Sequence, residues 1–258
     1  MRHLFGSGLK WVLLVLMGLG AAAILCGPPS QAQSGRQTQT FDTSAGPVEI
    51  TPIYHASMLI QAGGKNIYVD PARPANLTGL PPADLILITD IHPDHMDAGD
   101  IAQLSNSTTI VMAPPAVVKS ISAADPISNG ETTQWNGWTI EAIPMYNIVR
   151  GPAPGEFYHP KGRGNGYVLT YGEKRFYISG DTENIPEMRH LKNIDVAFIC
   201  MNLPYTMTPE EAAEAVKAFH PKIAIPYHYR NSDLSVFKHD LAGTGIEVRL
   251  LDWYPKNP

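Results

Sequence analysis

A dense run of potential metal ligands directly behind an apolar strand constrains this chain more than any other feature. Leu85-Ile86-Leu87-Ile88 is a short continuous apolar run, which suits a strand buried on both faces. It passes straight into Thr89-Asp90-Ile91-His92-Pro93-Asp94-His95-Met96-Asp97, where five of nine residues carry an imidazole or a carboxylate. Loops at the ends of rigid strands are where a scaffold presents binding groups. Groups this closely spaced would repel or stay unpaired without a cation, although a solvated polar loop is the simpler alternative. Imidazole and carboxylate without thiolate suits zinc, manganese or iron and disfavours a cysteine-rich structural zinc site.

The chain ahead of the strands reads differently. Arg2, His3 and Lys10 precede an uncharged apolar run over 11–25, followed by Gly27, Pro28, Pro29 and then Ser30-Gln31-Ala32. That layout predicts a secretory signal peptide over 1–32, cleaved after Ala32, and hence a periplasmic or secreted protein. The run falls short of the roughly 20 residues that span a bilayer, so no stable membrane anchor is expected after cleavage; an uncleaved N-terminal anchor is the alternative. Loss of 1–32 removes Arg2 and Lys10 and no acid, taking the net charge from −5 to −7. Such a balance argues against a nucleic-acid partner, which would call for a basic face. Only Cys200 then remains, at the end of the apolar run Val196–Cys200, so stability must come from packing rather than a disulfide.

Residues 33–46 are rich in Gln, Ser, Thr and Gly and predict a flexible lead-in, with a single domain over 47–258. Strands are predicted over 47–53, 58–61 and 66–70, the last two joined at Gly63-Gly64, then over 85–88, 109–112, 138–143, 166–171, 175–178, 223–225 and 246–250. Helices are predicted over 98–104, 115–121 and 233–241, and one opens at Thr208 with Pro209 in its first turn and Glu211 completing a capping box. No internal repeat is visible in the sequence. Hairpin strands followed by alternating strands and helices predict an α/β protein with sheets packed face to face and helices outside.

Thr89, His92, Asp94 and His95 resemble the T-H-x-H-x-D-H signature of the metallo-β-lactamase-fold hydrolases, with Asp90 standing where that signature has its first His. Ser179-Gly180-Asp181-Thr182 is similar to the family's S-G-D-T strand end, and Pro226-Tyr227-His228 to its late P-x-H. Tyr54-His55-Ala56, Asp70-Pro71 and Met207–Ala212 resemble the branch related to L-ascorbate-6-phosphate lactonase. The resemblance covers roughly 48–253 in the family's order. It implies a four-layer αββα sandwich of two mixed β-sheets flanked by helices, and a metal-dependent hydrolase acting on an ester, lactone or phosphoester through hydroxide formed from metal-bound water. It also implies a metal site of Asp94, His95, bridging Asp181 and His228.

The family's other site uses two His of the signature and a third after a central strand. Here the first is Asp90, and the third position falls near Tyr146-Asn147 with no His. The expectation is therefore one firmly held zinc or manganese ion and a second, more oxygen-rich site of Asp90, His92 and Asp181. Asp94, Asp90 and Asp181 are the candidate catalytic carboxylates: Asp181 to bridge and position, and Asp94 or Asp90 to accept the water's proton. A non-catalytic metal binder is the competing class, and β-lactam hydrolysis is less favoured within the enzyme class. His55 and Asp70 are expected either to orient ligands or to form a buried His–Asp hydrogen bond. Asn147 either lends a carbonyl or bonds within its loop. The Gly/Pro-rich stretch 144–164 carries Tyr146, Arg150, His159, Lys161 and Arg163; His159 is a candidate proton donor, and the three basic residues would clamp an anionic small-molecule substrate unless they are simply solvated.

Overall fold

The computed structural model describes residues 35–255, so the predicted signal segment lies outside the described residues. A first sheet runs in chain order through β1 (Gln39–Phe41), β2 (Val48–Tyr54), β3 (Ser57–Ala62), β4 (Lys65–Val69), β5 (Leu85–Leu87), β6 (Ile110–Ala113) and β7 (Asp125–Pro126). A second runs through β8 (Thr132–Trp135), β9 (Trp138–Met145), β10 (Gly164–Tyr171), β11 (Lys174–Ile178), β12 (Val196–Cys200), β13 (Ile223–Tyr227) and β14 (Glu247–Val248). In each, four antiparallel strands lead into a parallel set: β4 to β7 in one and β11 to β14 in the other. The chain therefore repeats a topology that its sequence does not reveal.

Alternation explains the layers. In and just after β5, Leu85 and Leu87 join the large core shared by both sheets, while Ile86 and Ile88 point into a smaller cluster. That cluster is closed by Ile101 and Leu104 of α1 (Ala98–Leu104) and Val117 of α2 (Pro115–Val118). Burial of each such side chain contributes about 1.5–3 kcal/mol. The second sheet is covered by α3 (Pro186–Arg189), α4 (Pro209–Phe219) and α5 (Leu234–Asp240). The capping box of α4 is present: Glu211 N–H donates to Thr208 Oγ1 at 3.1 Å and Thr208 N–H to Glu211 Oε2 at 2.8 Å. Its buried face is Ala212, Ala213, Ala215, Val216 and Phe219. The expected αββα sandwich is thus found.

Two expectations change. Residues 39–41, within the stretch read as a flexible lead-in, form β1 because Phe41 buries its ring edge-on against Phe176 and the Thr38 hydroxyl meets that of Thr51 at 2.8 Å. The short strands β7 and β8 were not predicted, since two to four mostly exposed polar residues carry no apolar period. Cys200 is buried and free, and burial pushes its thiol up to about 12, so it stays protonated and inert. No helix among the described residues is long and apolar enough to cross a membrane.

The carboxyl ends of β4, β5, β11, β12 and β13 open on one edge of the sandwich, the usual place for a ligand in parallel sheets. Four side chains there hang on left-handed backbone: His55 (φ 56°), Asp70 (φ 48°), His228 (φ 50°) and Arg230 (φ 39°). Strain of this kind is kept only where the surroundings enforce it and collects at functional sites. Gly180 (φ 61°) turns the chain into Asp181 in a left-handed conformation, and a Cβ there would stand 3.0 Å from the Asn165 carbonyl, which favours glycine.

Candidate metal centre

The site is built outward from Asp70. Its buried carboxylate accepts from the Thr89 N–H (2.7 Å), the Thr89 hydroxyl (2.6 Å) and His95 Nδ1 (2.8 Å). This fixes the His95 ring so that Nε2 faces Asp181 Oδ2 at 3.2 Å. His228 brings Nδ1 to 3.4 Å from Asp181 Oδ1, and His159 brings Nε2 to 3.2 Å from Asp181 Oδ2. Three imidazoles thus converge on one carboxylate. Burial opposes ionisation of Asp181, yet His228 and His95 hold its carboxyl well below the usual range. Burial likewise opposes charge on His95, but Asp181 and Asp70 raise its pKa well above the ordinary value.

Asp94 completes this half. Its Oδ2 lies 3.1 Å from His55 Nε2 and 3.5 Å from His228 Nε2. The His55 ring lies against His228, centroids 3.7 Å apart and planes tilted by 32°, and its Nδ1 meets the Tyr254 hydroxyl at 2.5 Å. Burial and His228 lower the His55 pKa to about 4, leaving a neutral imidazole at physiological pH. His55 and Asp70 therefore do not bond each other: His55 pairs with Asp94 and Asp70 with His95.

Whether the residues fit a cation can be judged from what they lack. His95 Nε2, Asp181 Oδ1 and both nitrogens of His228 are buried with no hydrogen-bond partner. An orphaned buried polar atom costs about 1–3 kcal/mol, so this group on three neighbouring residues is expensive unless something joins it. A divalent cation would take up His95 Nε2, Asp181 Oδ1 and one nitrogen of His228, leaving the other His228 nitrogen toward a carboxylate. Ligand atoms of His95, Asp181 and His228 lie within 4.8 Å of one another, as do those of His55, Asp94 and His228 and those of Asp90, His92 and His159. The residues fit the group.

The last cluster holds a histidine that the expected oxygen-rich site did not include. It is His159, delivered from the long β9–β10 loop rather than from the strand end at 146–147. Asn147 Oδ1 accepts from both the N–H and Nδ1 of His159 at 2.7 Å, while its amide donates to the Tyr205 carbonyl at 2.8 Å. Of the two roles expected for Asn147, hydrogen bonding is thus the one found. His92 Nδ1 lies 3.1 Å from Asp90 Oδ2. Both oxygens of Asp90, however, accept from Arg163, at 3.0 and 2.7 Å.

Each basic residue of the expected clamp already has a carboxylate partner. Arg150 is held by Glu183 and Glu211, Lys161 by Glu187, and Arg163 by Asp90. The Tyr146 hydroxyl donates to Glu187 at 2.9 Å and does not join the cluster. Glu183 collects the N–H groups of Ile148, Val149 and Arg150 at 2.7–2.9 Å and so shapes the loop that delivers His159. It follows Thr182 directly, and that adjacency was the available signal. Tyr254 and Arg230 were missed as well, because neither belongs to a recognisable motif.

Two cavities flank the centre. One, of about 420 Å³, is lined by Tyr54, His55, Arg73, Asp94, Arg230 and Tyr254; the other, of about 430 Å³, by His92, Asp94, Tyr158, His159, Asp181 and Tyr205. Asp94 and Arg230 border both. The Arg230 guanidinium has only Asp94, at 3.8 Å, as a carboxylate neighbour among the described residues. Tyr205, which lines the second cavity, is exposed, as are Ile148, Val149, Phe157 and Leu203 in the loops that carry Tyr158, His159 and Asn202.

Two mixed sheets with an imidazole–carboxylate centre at their shared edge define a metal-dependent hydrolase of the metallo-β-lactamase fold. Residues 49–228 match the β-lactamase superfamily domain, and the chain belongs to that superfamily. It is 31% identical over 228 residues to a UPF0173 metal-dependent hydrolase of Pelotomaculum thermopropionicum, covering 79% of this chain and 96% of that one. A counterpart from Methanopyrus kandleri is 28% identical over 225 residues, with the same coverage. The crystal structure of a metal-dependent hydrolase from Parabacteroides distasonis superposes with a TM-score of 0.81 at 40% identity, over 85% of this chain and all of that one. Igni18, a metallo hydrolase of Ignicoccus hospitalis, shares the fold at 22% identity and a TM-score of 0.67, over 80% of this chain and 95% of that one.

Proposed function

We propose that this protein is an exported hydrolase that cleaves a small organic ester, lactone or phosphoester bearing an acidic group, using zinc or manganese. The carrying observation is the set of partnerless buried atoms on His95, Asp181 and His228, of which a cation would engage one from each residue. Asp94, His95, Asp181 and His228 would hold the firmer ion, and His92 and His159, with Asp181 shared, the weaker. A divalent ion bound there supplies Lewis acidity and lowers the pKa of water. Asp70 and His55 keep the ligands aimed. Of the two carboxylates considered as proton acceptors, Asp94 borders both cavities, whereas Asp90 has both oxygens on Arg163; the proton is assigned to Asp94, with His55 Nε2 behind it. Arg230 supports an acidic substrate, and the exposed apolar rim favours an organic one over an inorganic phosphate. The lactone option draws on the sequence likeness to the L-ascorbate-6-phosphate lactonase branch, and export on the layout of residues 1–32.

The Asp90–Arg163 pair favours a second reading, a metal-binding protein without turnover. A panel of esters, lactones and phosphodiesters, each with and without a carboxylate, assayed with metal-loaded wild type and His95→Ala, separates the two. Turnover that prefers the acid-bearing members and is lost with His95→Ala is expected. Bound metal with no turnover on any member would leave the binder.

A further inference from the structure

Asp90 is fully buried and Arg163 is only 18% exposed, so their ion pair is part of the centre rather than a surface contact. Arg163 Nε and Nη2 grip the two carboxylate oxygens, and Nη2 also lies 3.3 Å from His92 Nε2. The backbone enforces this: Arg163 N–H closes a turn on the Pro160 carbonyl at 3.2 Å, and Asn165 N–H donates to Thr89 O at 2.9 Å, pinning the chain after Arg163 to the residue before Asp90. The other half of the centre has no such cation; its nearest guanidinium, Arg230, stands 3.8 Å from Asp94.

We propose that Arg163 is a resident cation of the first site: its two-pronged pair with Asp90 withdraws that carboxylate from metal binding and sets the first site below the second in affinity. This rests on the assignment of the centre to metal. A guanidinium cannot be deprotonated in a protein, and its fork matches a carboxylate. An arriving cation therefore meets a fixed positive charge and competes for oxygens already satisfied. The pair is neutral overall, as is the imidazole that the resembling signature carries at position 90. The site keeps His92, His159 and a share of Asp181 but gains no anionic ligand from Asp90.

The test is chelator competition from zinc-loaded protein, counting zinc per chain as free zinc falls. Wild type should release one ion at a free zinc level roughly 100-fold higher than the other, a gap of about 2.7 kcal/mol. Arg163→Met should free Asp90 and tighten the weaker ion at least tenfold without moving the tighter one. Arg163→Lys, a point charge without the fork, should lie between and guards against a Met variant that fails to fold. Adding Asp90→Asn to Arg163→Met should abolish the gain. An unchanged or weakened second ion in Arg163→Met and Arg163→Lys would overturn the proposal, as would a gain that survives Asp90→Asn. Failure of the hydrolase assignment shows separately, as absent turnover in wild type whose two ions still release in the expected order.

Discussion

Replacing Asp181 with alanine is expected to strip the protein of both ions and of hydrolysis together. Among the described residues Asp181 is the only carboxylate met by three imidazoles, from His95, His159 and His228, at 3.2–3.4 Å. Its removal leaves those rings with no anion to balance a dication and no oxygen shared between the two sites. Loss of a group that merely supports a ligand costs roughly 10–100-fold in metal affinity or activity, and loss of the shared ligand should exceed that. The residue's surroundings also allow the cause to be separated from misfolding. The large core excludes Asp181, so Asp181→Asn, which keeps shape and loses charge, should retain the wild-type far-ultraviolet spectrum. Metal content by mass spectrometry and turnover on the best panel substrate check both variants. Retention of two ions by Asp181→Ala would mean that the centre lies elsewhere.

The second large effect is selective. His159→Ala should take away the weaker ion and leave the firmer one, because His159 joins Asp90 and His92 and meets the other half only at the shared Asp181. Metal content should fall from two per chain to one, with turnover reduced by at least about 100-fold if both ions are needed to polarise substrate and activate water. Asn147→Ala should give a milder version, since it unfixes the ring without removing the ligand. Metal counting under limiting free zinc distinguishes them. Equal loss of both ions in His159→Ala would instead make the loop a structural prop of the whole centre.

How legible this was in the sequence differs from part to part, for physical reasons. Leu85–Ile88 and the capping box at Thr208 could be read because an apolar period and a local hydrogen-bond pattern are short-range properties. Asp94, His95, Asp181 and His228 could be placed together because each follows a buried strand and the resemblance supplied their order. His159 could not. It reaches the centre from a 164-side loop whose path is set by Glu183 gathering three backbone N–H groups and by Asn147 turning the ring, contacts that no spacing encodes. The same blindness explains the basic residues. Arg150, Lys161 and Arg163 look alike as loop cations, and only the fold shows that a carboxylate faces each of them while Arg230 stands at the junction of the cavities. Position 90 is a case where the departure was visible but not its compensation, since Arg163 lies 73 residues away. β1 belongs to the same class, because a polar tripeptide becomes a strand only once Phe41 finds Phe176.

Anomalous diffraction from crystals grown with zinc decides the matter of the centre. The expected map has a strong peak enclosed by Asp94, His95, Asp181 and His228, and a weaker one between His92, His159 and Asp181 with Arg163 still on Asp90. Zinc absent from both places, or bound only at surface carboxylates, would contradict it.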